Sequence, residues 1–153
     1  MNMRRNTLPP EILLEEYRRL LTEDPQIKAL PLIVSGSSMT PFLVSGRDTV
    51  YLSRLERPAR RGDILLYLRD SGKYILHRVW RVEKDGTLTI VGDAQTELER
   101  GIREDQIIAV VTSVVRKGKR MGPGDFWWEF FEKIWIRMVP LRYLVWRLYG
   151  GFR

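Results

Sequence analysis

The sequence contains no cysteine and only one histidine, His77. The lack of cysteine excludes a disulfide framework, a thiol nucleophile and any thiolate metal site. A single histidine also argues against a zinc site, so we expect neither a metal nor another cofactor. A cysteine-free composition fits a reducing compartment, and we expect a cytoplasmic location.

Long apolar runs are also lacking. No stretch reaches the roughly 18 uncharged apolar residues of a membrane-spanning helix, and the N-terminus lacks the continuous apolar core of a secretory signal. We therefore expect a chain that does not span a membrane.

The net charge of +7 is spread along the 153 residues rather than gathered in one patch. No glycine-rich phosphate loop, zinc-finger spacing or RNA-binding aromatic signature accompanies it. We expect a solvated basic surface and no nucleic-acid partner.

Hydrophobic spacing divides the chain into three regions. Residues 1–28 contain an amphipathic helix that opens at Pro9-Pro10 and stops near Pro25. Residues 29–121 contain short β-branched runs separated by turn residues. This pattern predicts a mainly β fold, a coiled antiparallel sheet or partly closed barrel. The predicted strands are Leu32–Val34, Thr49–Ser53, Asp63–Arg69, Tyr74–Val82, Thr87–Val91 and Gln106–Val115, with a break at Glu99 to Glu104.

Residues 122–153 begin with a Gly-Pro-Gly hinge and continue as an aromatic, basic helical pattern that holds four of the five tryptophans. Two interpretations stay open for it. The helix either covers the sheet, or residues 125–149 attach the protein peripherally to an anionic membrane surface.

The phrase that points to chemistry is Ser35-Gly36-Ser37-Ser38-Met39-Thr40-Pro41. Glycine, serine and proline favour a turn, where a hydroxyl is exposed and backbone N–H groups converge. His77 lies in a predicted strand, on the same face as Ile75 and Val79. A turn serine and a strand histidine can act as a nucleophile and its general base.

Four short motifs carry a family resemblance, namely Ser38-Met39-Thr40-Pro41, Arg61-Gly62-Asp63-Ile64, His77-Arg78-Val79 and Gly92-Asp93-Ala94. In order and spacing they resemble the serine peptidases that include signal peptidases and LexA-type self-cleaving repressors. Histidine after the Arg-Gly-Asp motif is similar to the endoplasmic-reticulum and SipW-like signal peptidases. The resemblance implies a LexA/signal-peptidase-type sheet.

The resemblance also implies roles for individual residues. Ser38 is the expected nucleophile, and its own N–H is the first choice as oxyanion donor. The expected oxyanion and substrate-binding residues around it are Ser35, Gly36, Ser37 and Met39, with Met39 packing beneath the turn. The expected structural residues are Pro41, Arg61, Gly62, Asp63, Arg78 and Gly92, with Asp63 paired to a nearby arginine.

His77 is the expected general base, with a rate that rises through roughly pH 6–7. Asp93 is the first candidate to orient its ring. The sequence departs here from histidine-type relatives, which carry a second aspartate after the Gly-Asp motif. Glu97, Glu99, Asp105 or a backbone carbonyl therefore remain alternatives.

The resulting hypothesis is a serine endopeptidase that cleaves an extended peptide or precursor protein through an acyl-enzyme. A sheet edge beside Ser38 would hold the peptide by main-chain hydrogen bonds. A LexA- or UmuD-like regulator that cleaves itself is one alternative, although the chain has no Ala-Gly site. A catalytically inactive peptide-binding module is another.

Overall fold

A computed structural model describes residues 10–148 of the chain. Helix α1 spans Pro10–Glu23 and precedes eight strands. The strands are β1 (Leu30–Ile33), β2 (Thr49–Ser53), β3 (Ile64–Leu68), β4 (Tyr74–Val82), β5 (Leu88–Val91), β6 (Glu99–Ile102), β7 (Ile107–Arg116) and β8 (Lys119–Met121). The expected mainly β fold is confirmed. Residues 1–9, in the first predicted region, lie outside the described part.

The strands form one antiparallel sheet in the order β1-β2-β7-β3-β4-β5-β6, with β8 added beside the end of β7. Across the described residues, the edge strands β1 and β6 do not pair with each other, so the sheet is open and does not close into a barrel. Pro31 in β1 lacks an N–H donor, and its carbonyl accepts a hydrogen bond from the Tyr17 hydroxyl of α1. This edge is therefore partly closed by a helix.

All six strands expected from the sequence form, with ends that differ by at most two residues. Strands β6 and β8 were not expected, and the predicted break at residues 99–104 is wrong. In β6 only Ile102 is buried, so the segment has no alternating apolar pattern. It becomes a strand because Leu88 and Ile90 of β5 supply its partners.

The two faces of the sheet pack differently. One face carries Leu66 and Val111 and is covered by α1 and by the C-terminal helical segment. The opposite face carries Leu65, Tyr67 and Val79 in a smaller cluster. Because successive strand residues alternate, His77 and Arg78 lie on opposite faces of β4.

The C-terminal helical segment, residues 126–148, consists of four consecutive helical stretches of three types. It comprises α2 (Phe126–Glu129), a π-helical turn (Phe130–Ile134), a 3₁₀ turn (Trp135–Met138) and α3 (Val139–Leu148). Trp128, Phe131 and Trp135 are buried in the core beside the sheet. The segment thus covers the sheet, which was one of the two interpretations. Within residues 10–148 no helix combines the length and apolar character needed to cross a bilayer.

Candidate active site

Ser38 lies in a turn just beyond β1. Its side chain is half-buried, while Met39 beneath it is 2% exposed and belongs to the core. The Thr40 N–H donates to the Ser37 carbonyl at 3.1 Å. Gly36 has a φ of +78°, a left-handed conformation that favours glycine. The turn therefore rests on the core and presents Ser38 at its surface.

The expected oxyanion donors lie together in this turn. Ser35, Gly36 and Ser37 are exposed. Within the described chain the N–H groups of Ser37 and Ser38 donate to no other residue. Two adjacent unpaired N–H groups can stabilise a developing negative charge.

Pro41 follows a cis peptide bond with Thr40. Arg116, at the end of β7, donates from Nε to the Phe42 carbonyl at 2.7 Å and from Nη2 to the Pro41 carbonyl at 3.4 Å. The distal end of the Ser38 turn is therefore fastened to the central strand.

The Gly-Asp motif contacts the Ser38 turn directly. The Ala94 N–H donates to the Ser38 carbonyl at 2.9 Å. A Cβ placed on Gly92 would lie 2.5 Å from that same carbonyl oxygen, closer than any side chain could come. Glycine at position 92 thus permits the approach of the two loops.

His77 lies on β4, close to this junction. It pairs with Leu65 of β3, and its ring packs edge-on against Tyr67 at a centroid distance of 6.4 Å. On the other side of β4, Arg78 pairs with Val91 of β5. Gly92, the residue after Val91, therefore continues in the direction of His77. The Ser38 turn therefore lies beside the end of β5 nearest His77.

A cavity of about 490 Å³ opens in front of His77. Its lining comprises Arg69, His77, Ile90, Ala94, Gln95, Thr96, Glu97, Leu98 and Glu99. Ala94 belongs to this lining and also binds Ser38, so the serine turn and the histidine border the same loop. No hydrogen bond joins Ser38 to His77 among the described residues, and the buried Nδ1 atom of His77 has no partner there.

Burial determines the acidity of His77. The side chain is 5% exposed, and desolvation followed by the Arg69 guanidinium lowers its pKa from 6.5 to about 4. The Glu99 and Asp93 carboxylates act in the opposite direction. His77 is therefore neutral at pH 7, with a lower pKa than the sequence alone suggested.

Asp93 binds Arg78 rather than His77. Its two oxygens accept from Nε and Nη2 of Arg78 at 2.9 and 3.0 Å, and both side chains are almost completely buried. Because Arg78 points to the face of β4 opposite His77, this pairing directs Asp93 away from the imidazole. The expected hydrogen bond from the His77 ring to the Asp93 carboxylate is absent from the described structure.

Among the alternative carboxylates, Glu99 and Glu97 line the His77 cavity. Asp105 instead accepts from Arg103 at 3.1 Å on the surface. Glu99 accepts from Nε of Arg69 at 3.0 Å and from the Tyr67 hydroxyl at 3.2 Å. The carboxylate with most influence on His77 thus lies on β6, the strand that the sequence did not indicate.

The Arg-Gly-Asp motif forms a packing junction. Asp63 accepts two hydrogen bonds of 2.8 Å from Arg57, as expected of a structural carboxylate. The Arg61 Nε donates to the Trp80 carbonyl. Gly62 has a φ of +94°, and a Cβ there would lie 2.8 Å from the Glu132 carbonyl. The motif therefore holds the C-terminal helical segment against β4.

Two residues that the sequence associated only with the C-terminal tail support the site, and both are buried. Nη1 of Arg142 donates to the Gly92 and Gln95 carbonyls at 2.9 Å, and Trp135 Nε1 donates to the Asp93 carbonyl at 2.8 Å. Arg142 is fully buried, and burial lowers its pKa to about 10. The only signal in the sequence was its position seven residues after Trp135, on the same helical face.

Within residues 10–148 no group of three or more histidine, cysteine, aspartate or glutamate side chains is placed to hold a metal ion. Comparison of the chain with models of protein families, with curated proteins and with solved structures gives no match.

Proposed function

We propose that the protein is a serine endopeptidase similar to signal peptidases, with Ser38 as nucleophile and His77 as general base, on a sheet of the LexA/signal-peptidase type. One observation carries the proposal. The Ala94 N–H binds the Ser38 carbonyl at 2.9 Å, and Ala94 also lines the cavity in front of His77. The candidate nucleophile and base therefore border one loop, although 39 positions separate them.

The meeting of the four motifs in space supports the same proposal. Arg78, directly after His77, donates to both Asp93 oxygens and also to the Gly62 carbonyl at 2.9 Å. Gly92 packs on Ser38. Residues that the family resemblance groups by sequence thus form a connected set of contacts.

The chemistry follows the usual course of acyl transfer. The Ser38 Oγ attacks the scissile carbonyl carbon while neutral His77 accepts the hydroxyl proton. The N–H groups of Ser37 and Ser38 bind the oxyanion of the tetrahedral intermediate. His77 then gives its proton to the departing amine as the C–N bond breaks. Water repeats the sequence on the acyl-enzyme and releases the second product.

The pKa of about 4 makes His77 ready to accept a proton at neutral pH. It also makes the imidazolium costly, because the ring is buried and Arg69 lies nearby. Glu99, and to a smaller extent Asp93, oppose this cost. We therefore expect the acidic limb of activity below the pH 6–7 of an ordinary histidine.

Beyond Pro31, whose carbonyl is occupied by the Tyr17 hydroxyl, the edge of β1 is suited to an extended peptide. Both backbone polar groups of Val34 are paired within the protein, because its N–H donates to the Asp48 carbonyl and its carbonyl accepts from the Gly46 N–H. Because backbone direction alternates along a strand, Ile33 and Ser35 face outward. A cavity of about 510 Å³ lies beside Ser35, between α1 and the turn that joins β3 to β4. A substrate strand would pair here and end at Ser38.

The test is cleavage of a mixed peptide pool by purified protein, with new termini identified by mass spectrometry. A serine-directed acylating probe and the intact mass provide a second readout. Ser38→Ala should abolish both signals with its melting temperature nearly unchanged, because the half-buried hydroxyl fills no core space. Ser37→Ala is the matched control and should retain labelling.

Cleavage or labelling that persists in folded Ser38→Ala would remove Ser38 from the mechanism. The missing Ser38–His77 hydrogen bond and the unpaired Nδ1 atom favour a second candidate, an inactive peptide-binding module. That module would bind peptides from the pool and release them uncut in the wild type. The cytoplasmic location stays a prediction.

A further inference from the structure

The C-terminal helical segment has two apolar faces. One packs on the sheet through Trp128, Phe131, Trp135 and Val139. The other is exposed and forms a stripe, which we call the outer stripe. Its members are Phe126, Trp127, Ile134, Leu141, Leu144 and Leu148, with exposures from 46% to 79%.

The outer stripe runs along one side of the helical segment. At 100° per residue its six members fall within an arc of about 100°. A π turn under-rotates the chain and a 3₁₀ turn over-rotates it, and here the two follow each other directly. Their rotations offset, so the two ends of the stripe stay in phase. The segment is about 34 Å long at 1.5 Å per residue.

The charges around the outer stripe are mainly positive. Arg137 lies within it, with Lys133 and Arg147 exposed beside it. The Arg116 guanidinium lies 5.8 Å from the Trp127 ring, which places the basic turn between β7 and β8 at one end. Of the nearby carboxylates, Glu129 pairs with Lys133, and the Glu132 side chain lies against Gly62.

We propose that the outer stripe docks on the surface of an anionic phospholipid bilayer, with the segment parallel to the membrane plane. An apolar face rimmed by arginine and lysine, with tryptophan at its border, matches the acyl boundary and the anionic headgroups. A second copy of the chain fits less well. A two-fold contact through the stripe would bring Arg137 and Lys133 of both copies together.

Docking through the outer stripe would leave the contacts between the C-terminal helical segment and the proposed site intact. The buried side of the same segment holds the loop from Gly92 to Gln95 through Trp135 and Arg142. The Ser38–His77 region would therefore be held at a fixed distance and orientation relative to the membrane surface. This inference rests on the exposed face alone and does not depend on the proposed peptidase activity.

The experiment is co-sedimentation of the full chain with vesicles of phosphatidylcholine, with and without phosphatidylglycerol. We expect binding only to the anionic vesicles, weakened by added salt. Leu144→Glu should reduce partitioning at least about tenfold, because it places a charge in the apolar interface. Ile12→Glu on α1 is the matched control, since Ile12 is 54% and Leu144 51% exposed. It should bind as the wild type does.

Arg137→Gln provides a second variant, expected to weaken binding about fivefold without lowering the melting temperature. Failure of the intact protein to bind anionic vesicles would overturn the proposal. Equal binding by folded Leu144→Glu and Ile12→Glu would also overturn it. Self-association that Leu144→Glu disrupts, without vesicle binding, would assign the stripe to a second copy instead.

Discussion

At the scale of single residues, the surroundings of His77 determine the chemistry that the site can perform. Burial and Arg69 hold the imidazole neutral, while Glu99 lines the same cavity and favours the charged form. Arg69 and Glu99 are also bonded to each other, so the histidine responds to an ion pair rather than to one charge. Such an arrangement allows the base strength to be altered by substitutions that do not touch the ring.

We predict that His77 titrates with a pKa of about 4. Arg69→Gln should raise this pKa, because it removes the nearby positive charge, and Glu99→Gln should lower it. Since the chain has one histidine, the imidazole signals in an NMR titration report it without assignment. Arg120→Gln makes the same change of charge on the surface and should leave the titration unchanged. A midpoint near 6.5 in the wild type would contradict the described burial.

The same shift has a consequence for stability. The folded state binds the His77 proton less readily than the unfolded state, so the unfolded chain takes up more protons between pH 6.5 and 4. The contribution is fully present above pH 6.5 and is lost as the pH falls to about 4, and the total loss of stability over this range is about 3 kcal/mol.

Asp93, unlike Glu99, acts mainly on a buried arginine rather than on the histidine. It neutralises Arg78 in the interior, where an unpaired guanidinium would be costly. We predict that Asp93→Leu destabilises the protein by about 3–5 kcal/mol, and that adding Arg78→Met restores most of this loss. Urea unfolding of both variants measures the effect, with exposed Asp105→Ala as a control that should cost under about 1 kcal/mol.

Activity separates the two roles proposed for Asp93. If the carboxylate acts only on Arg78, the stable double variant should keep peptide cleavage. A stable but inactive double variant would show that Asp93 takes part in catalysis.

At the scale of elements, the closest contact of the site is between two loops. Gly92, after β5, approaches the Ser38 carbonyl to a distance that admits no Cβ. This contact determines where the serine turn stands relative to β4. The turn is held from the other end by Arg116 of β7. Two strands thus position one hydroxyl.

We predict that Gly92→Ala displaces the Ser38 turn and reduces peptide cleavage on the order of 100-fold, the usual result of a shift near 1 Å. Gly122→Ala is the matched control, because its nearest contact would be an ordinary 3.5 Å from the Thr112 carbonyl. Rates and melting curves of both variants check this. Full activity in Gly92→Ala would show that the contact does not position the nucleophile.

At the scale of the whole molecule, the sequence predicts those elements whose own residues carry a clear hydrophobic pattern. Residues 74–82 alternate in hydrophobicity, and β7 contains a run of β-branched residues. Both patterns indicate a strand whichever strands it pairs with. The strand β6 was missed because only Ile102 is buried, so Glu99 was not recognised as part of a strand. Its place beside His77 depends on pairing between distant segments.

The C-terminal helical segment illustrates the other limit of sequence reasoning. An aromatic and basic pattern cannot show which tryptophan faces the core, and Trp127 and Trp128 lie on different sides. Arg142 resembles any surface cation until its backbone partners are known. Its burial reflects carbonyls from about 50 residues earlier in the chain.

The strand order also bears on how the protein is made. Strand β7 lies between β2 and β3, so among the described strands it alone joins β1 and β2, which flank Ser38 in the chain, to the part of the sheet that holds His77. The ribosome synthesises the strands of both halves before it synthesises β7. Until then β2 and β3 lack the strand that pairs with both of them, and Trp135 and Arg142 are synthesised later still. We therefore expect the proposed site to assemble only after residues 107–142 have been synthesised.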